Sequence, residues 1–147
     1  MHISRHAKER YAKRIMDITD PKEVKRLARY KEEKIEKDIN KLFEYSIYIA
    51  TAELGKNGPK KFWIRDDIII VTDKKIKCVI TIYRLDYGYD HEVNRVLARE
   101  ITDKILEAKS ILKYEPDNEQ AKEDLLYYTN RLLVCKFYAE DALLVIK

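Results

Sequence analysis

Residues 60–85 read KKFWIRDDIIIVTDKKIKCVITIYRL. Three apolar runs, KKFWIRD, DIIIVTD and KIKCVITIYRL, are separated by the polar turns Asp66-Asp67 and Asp73-Lys74-Lys75, which is the pattern of a three-stranded antiparallel meander. On the third run Cys78, Ile80 and Ile82 alternate with Val79, Thr81 and Tyr83, so each set belongs to one face of a sheet. The unbroken run Ile68-Ile69-Ile70-Val71 calls for cover on both faces of the middle strand.

Helical periodicity flanks this block on both sides. Ser4 can cap a helix over 5–16 with Ala7, Tyr11, Ile15 and Met16 on one stripe. Asp20-Pro21-Lys22-Glu23 supplies an N-cap, a proline at the first helical position and an acid in the first turn. The stripe that follows, Val24, Leu27, Ala28, Ile35, Ile39, Leu42, Phe43, Ser46, Ile49, Ala50 and Leu54, predicts one long second helix, with the polar stretch 29–34 as its weak point. Gly55 and Asn57-Gly58-Pro59 end it. After the meander, Asp90 caps a helix through Lys113 with the stripe Val93, Val96, Leu97, Ile101, Ile105, Ala108 and Leu112 facing inward, and Glu115-Pro116 followed by Asp117 and Gln120 starts a last helix over 117–146. The expected fold is α+β, a single domain over 1–147: a three- to four-stranded antiparallel meander with two N-terminal and two C-terminal helices.

Length and composition agree with one helix-rich domain. The chain has 147 residues, 46% of them hydrophobic, with three glycines, three prolines and 38% charged residues, enough to bury a core and too apolar for disorder. Cys78 and Cys135 lie in apolar runs without CxxC spacing, which predicts a reducing, cytoplasmic setting and no disulfide framework. The charged start MHISRHAKERYAKRI reads as neither a signal peptide nor a spanning segment. Residues 1–34 hold eleven Lys/Arg against six acids, so the net charge of +4 is wholly N-terminal; it can steer an anionic partner, or, since acids are interleaved with the bases, form only a solvated helix face. Residues 132–146, LLVCKFYAEDALLVI, are apolar at twelve of fifteen positions, wider than one stripe, and predict a homo-oligomer closed by the last helix, a dimer or a higher even oligomer; a central helix buried within one subunit is the alternative.

Two constellations carry chemistry. His6, Arg10 and Arg14 lie along one side of the first helix, an imidazole beside two guanidiniums, as acid–base attack on a phosphodiester would require. This set resembles small bacterial RNase toxins, whose N-terminal His and Arg precede a meander; a solvated helix end explains it as well. The second is the junction 83–95, YRLDYGYDHEVNR. Tyr83 and Tyr87 are aromatic, Arg84 and Arg95 are cations, Asp86 and Asn94 carry polar edges, and a helix starts there. Aromatic faces stack on purines, an amide can bond an adenine edge twice, and cations with helix-terminal amides take phosphate. An ordinary tyrosine-rich turn is the plainer alternative. The histidines at 2, 6 and 91 have no metal-ligand spacing, and no glycine-rich phosphate loop or nucleophile elbow occurs, so no cofactor is expected and conventional enzyme signatures are missing.

The order HAKERYAKRI, KIEKDINKLFEYS, VITIYRLDYG and a following helix with an Asn resembles small phage proteins of the first Thoeris anti-defence family. That resemblance spans residues 5–113. It implies a phage protein acting in the cytoplasm of an infected bacterium, an oligomer that binds and sequesters a cyclic ADP-ribose isomer or a cyclic oligonucleotide without cleaving it. It also implies roles for Tyr83 in base stacking, Asn94 in hydrogen bonding, and Lys109 with Lys113 in holding phosphate. Lysines stand where arginines would clamp phosphate bidentately, so the ligand within this class stays open. The alternatives are an RNase-like toxin using His6, Arg10 and Arg14, and a nucleic-acid-binding accessory protein.

Overall fold

The computed structural model describes residues 1–53, 58–134 and 145–146. The chain is α+β, with elements β1 (His2–Ile3), α1 (Arg5–Arg14), α2 (Pro21–Tyr30), α3 (Glu32–Glu44), β2 (Ile47–Glu53), β3 (Lys60–Arg65), β4 (Ile68–Asp73), β5 (Cys78–Arg84), α4 (His91–Tyr114), α5 (Glu119–Leu133) and β6 (Val145–Ile146). It divides into two compact units: residues 1–52 with 59–84, and residues 53–58 with 85–147.

In the first unit the meander β3–β4–β5 forms as its turns predict, with Arg65 opposite Ile68 across the two-residue turn, where Asp66 takes a φ of 60°. Two features enlarge it. Residues 47–53 form a strand, β2, antiparallel to β3, where the sequence pattern expected the second helix to continue. Ile47, Tyr48, Ile49 and Thr51 are β-branched or aromatic, and that preference wins over a helical spacing that Ser46, Ile49 and Ala50 satisfy only by coincidence. The helix stops because the Ser46 amide and hydroxyl both donate to the Phe43 carbonyl. In addition, β1 pairs in parallel with β5, making a mixed sheet ordered β1-β5-β4-β3-β2 in place of the simple meander. The predicted second helix also breaks at Lys31, within the polar stretch 29–34, so three N-terminal helices stand where two were expected.

Caps tie helix to sheet. Ser4 Oγ accepts from the Ala7 amide and donates to the Ile80 carbonyl, and Asp20 caps α2 ahead of Pro21. Lys8, 8% exposed, holds α1 to α3 by ion pairs with Glu32 and with Glu36 at 2.7 Å; burial opposes its charge, but these carboxylates more than offset that and raise its pKa. Ile3, Ala7, Tyr11, Ile35, Ile39, Ile68, Ile70, Val79 and Ile82 make one core, with Trp63 packed edge-on to Phe43 at 4.9 Å. Phe62, Ile64, Ile69, Val71 and Tyr83 are buried as well, so both faces of the central strands are covered.

The β4–β5 turn stores strain. Ile76 adopts φ 57°, a left-handed conformation that a β-branched side chain resists by about 1–2 kcal/mol. It is held there because Asp73 Oδ1 accepts from the amides of Lys77 and Cys78, both at 2.7 Å, bonds that also keep the Asp73 carboxyl below its ordinary pKa. Ile76→Asn, which tolerates this region, is therefore expected to stabilise the protein by about 1 kcal/mol in chemical denaturation. An unchanged or lower midpoint would show that the partly buried isoleucine contributes more than its backbone costs.

In the second unit α4 and α5 pack on each other. The buried side of α4 carries Asn94, Ala98, Ile101, Thr102, Ile105 and Ala108, whereas Val93 and Val96, expected inside, are 42% and 50% exposed. The α5 cap is Asn118, which accepts from the Ala121 amide, one residue beyond the expected Asp117. The last helix is described over Glu119–Leu133, and Val145–Ile146 is extended; most of the 132–146 apolar segment lies outside the described residues. Leu132 and Leu133 are fully buried by their own chain.

Candidate functional site

The residues of the 83–95 junction have internal work. Tyr83, opposite Ile69 on β5, is 0% exposed and turns no ring face to solvent. Arg84 Nη1 donates to both oxygens of Asp67, at 3.1 and 3.3 Å, and Asp67 is 2% exposed. In the second unit Asn94, 5% exposed, accepts from the Tyr87 amide at 3.0 Å and donates to the Tyr89 carbonyl at 3.0 Å and to Asp86 Oδ1 at 3.3 Å. Asp86 Oδ1 also accepts from the Gly88 amide, where φ is 90°, and the Tyr87 hydroxyl donates to the Leu132 carbonyl. The amide edge that sequence chemistry offers to a purine is thus closing its own loop. Arg95 is half-buried and engaged. Lys109 is half-buried, and desolvation lowers its pKa; Lys113 is exposed, its ammonium 5.9 Å from the Tyr114 ring centre.

The N-terminal set is only partly assembled. Arg10 Nε donates to His6 Nε2 at 3.2 Å, so the imidazole is neutral there; burial, then Arg10 and Arg14, lower its pKa. Arg14 instead donates to the Ile82 carbonyl at 2.9 Å, anchoring α1 to the sheet. Arg10 thus bonds the imidazole directly, and the Arg14 charge acts on it while its guanidinium also holds the sheet.

A third place was not singled out by sequence. On α3 and its C-cap, Asp38, Lys41, Leu42 and Tyr45 follow at spacings of three, four and seven from Asp38 and share a face. With Tyr11 and Ile15 of α1, Arg65 at the end of β3 and Ile68 at the start of β4, they line a cleft of about 420 Å³ inside the first unit. Its apolar wall is Ile15, Leu42 and Ile68. At its rim the Arg65 guanidinium lies 5.7 Å from the centre of the Tyr45 ring, which is 57% exposed. Inside it the Tyr11 phenol lies near Asp38; burial first, then the Asp38 carboxylate, raise its pKa, while Arg84 opposes them, so the phenol keeps its proton at neutral pH. The volume lies in the range of small-molecule sites, and the lining combines stacking planes, cations, a carboxylate and an apolar wall.

Among the described residues no cluster of His, Cys, Asp and Glu is placed to hold a metal ion, and no helix is long and apolar enough to cross a membrane. No known protein family, curated protein or solved structure matches this chain.

Proposed function

We propose that the protein binds an anionic nucleotide-type small molecule, a cyclic ADP-ribose isomer or a cyclic oligonucleotide, and holds it uncleaved, as the anti-defence resemblance implies for a phage protein in its host's cytoplasm. The observation that supports this best is the Tyr45–Arg65 pair at the mouth of the 420 Å³ cleft. A base stacks on an aromatic ring or on a guanidinium plane. Asp38 accepts from an exocyclic amine, the Tyr11 oxygen accepts from a ribose hydroxyl, and Lys41 with Arg65 meets phosphate. This moves the site from the buried Tyr83 and the occupied Asn94 to residues that face solvent.

Calorimetry with cyclic ADP-ribose isomers and cyclic di- and trinucleotides tests it. Tyr45→Ala is expected to lose about 1–3 kcal/mol of binding, on the order of tenfold to a hundredfold in affinity, and Arg65→Ala a similar amount. Both side chains are exposed, so the fold should persist. Ligand released by heat should have its original mass. Binding that neither substitution weakens, or a ligand recovered cleaved, refutes the proposal.

A further inference from the structure

The face formed by α1 and α2 is separate from that cleft and more basic. One groove of about 570 Å³ is lined by Arg5, Lys22, Lys25, Arg26, Arg29 and Tyr30. A second, of about 200 Å³, is lined by His6, Glu9, Arg10, Lys13, Thr19, Pro21, Val24 and Lys25, so the two meet at Lys25. The acids here are already matched: Glu9 pairs with Arg5 at 3.3 Å and Glu23 with Arg26. The net charge of the face therefore falls to Arg10, Lys13, Lys22, Lys25 and Arg29. Lys22, Lys25 and Arg29 recur at three and four residues along one side of α2, a track of about 10 Å at 1.5 Å per residue. At its end stands Tyr30, 79% exposed.

We infer that this face binds single-stranded nucleic acid without sequence preference, through phosphates along the α2 track and a base stacked on Tyr30. Cations in a row with an interleaved aromatic are the pattern of single-strand binding, because every base has a stacking face and every nucleotide a phosphate. Two grooves that meet along a helix surface suit a continuous chain. An anionic membrane is the poorer fit: lipid surfaces take up exposed apolar wedges, and apart from Tyr30 and Met1 no large hydrophobic residue in 1–30 is well exposed.

Fluorescence anisotropy with a labelled oligothymidylate of about 20 nucleotides tests this, long enough for the site sizes of such grooves. The expected result is binding at about 50 mM salt, weakening toward 200 mM with a log–log slope of about −3, as for roughly four neutralised phosphates on a single strand. The double charge reversal Lys25→Glu/Arg29→Glu should weaken binding by more than about tenfold and flatten that slope. Tyr30→Ala should weaken it about tenfold with the slope kept. Arg65→Ala in the cleft should leave strand binding unchanged, so the two sites stand or fall separately. No binding at low salt, charge reversal without effect, or binding to phosphatidylserine vesicles but not to the oligonucleotide overturns the inference. The substituted side chains are exposed, and a retained circular dichroism spectrum confirms that loss of binding is not loss of fold.

Discussion

Replacing Arg84 with alanine is expected to lower the stability of the first unit by about 3 kcal/mol, the low end of the range for breaking a buried ion pair. Asp67 sits in the β3–β4 turn with 2% of its surface exposed, and the two Arg84 bonds of 3.1 and 3.3 Å are made by one guanidinium nitrogen. Removing the cation leaves an almost fully buried carboxylate without its ion partner. Other contacts of Asp67 keep the loss from being larger. Arg84→Lys should retain part of the stability, since one ammonium can reach both oxygens as that single nitrogen does. The double variant Asp67→Asn/Arg84→Ala should recover part of the alanine loss, because no ion is then left buried. Trp63, the sole tryptophan and part of the first unit, makes its fluorescence a local probe of denaturation. A loss below about 0.5 kcal/mol would place the pair among ordinary surface ion pairs and sink this account of Arg84.

The elements that were legible in sequence are those with a local physical signature. The three central strands announced themselves through apolar runs bounded by Asp66-Asp67 and by 73–75, and Ser4, Asp20 and Asp90 each cap the helix that follows. What was misread had either two compatible periods or none. Ser46, Ile49 and Ala50 fit a helical stripe and also sit in a β-prone run, and only pairing with β3 decides between them. Two residues of β1 are too few for any period, and their parallel partner lies at 78–79. The face of α4 was rotated because Asn94 and Thr102 are polar yet buried with their hydrogen bonds made, Thr102 to the Ala98 carbonyl at 2.7 Å, so a hydrophobic stripe undercounts them. The cleft was invisible for a different reason. Asp38, Lys41 and Tyr45 look like the solvent side of an amphipathic helix, and they meet Arg65 and Tyr11 only through the fold. The 83–95 segment was the opposite case, dense in groups suited to a ligand but engaged within the fold: Asn94 closes its own loop, Arg84 bonds Asp67, and the Tyr87 hydroxyl bonds the Leu132 carbonyl.

Asn94 is where those two explanations diverge most sharply, and Asn94→Ala is expected to cost the second unit about 2–3 kcal/mol. Its side-chain amide accepts from the Tyr87 amide and donates to the Tyr89 carbonyl and to Asp86, and alanine removes all three bonds from a residue that is 5% exposed. The amide proton of Tyr87 should exchange with solvent much faster in this variant. Asn94→Asp separates the bonds. Its oxygen can still accept from Tyr87, so protection there should persist, but the donor facing Asp86 and the Tyr89 carbonyl becomes a second acceptor. The introduced carboxyl is then easier to protonate in the folded protein than in the unfolded chain, where it titrates near ~3.9. Its penalty is complete above the raised folded value, shrinks as pH falls through it, and vanishes below ~3.9, so the stability gap to wild type should narrow toward acid. Ligand binding to the cleft should be unchanged in both variants, because no part of Asn94 lines it. If Asn94→Ala keeps full stability and Tyr87 protection while abolishing binding of a cyclic nucleotide, the amide is a recognition group and not a loop clamp, and the site belongs at 83–95 after all.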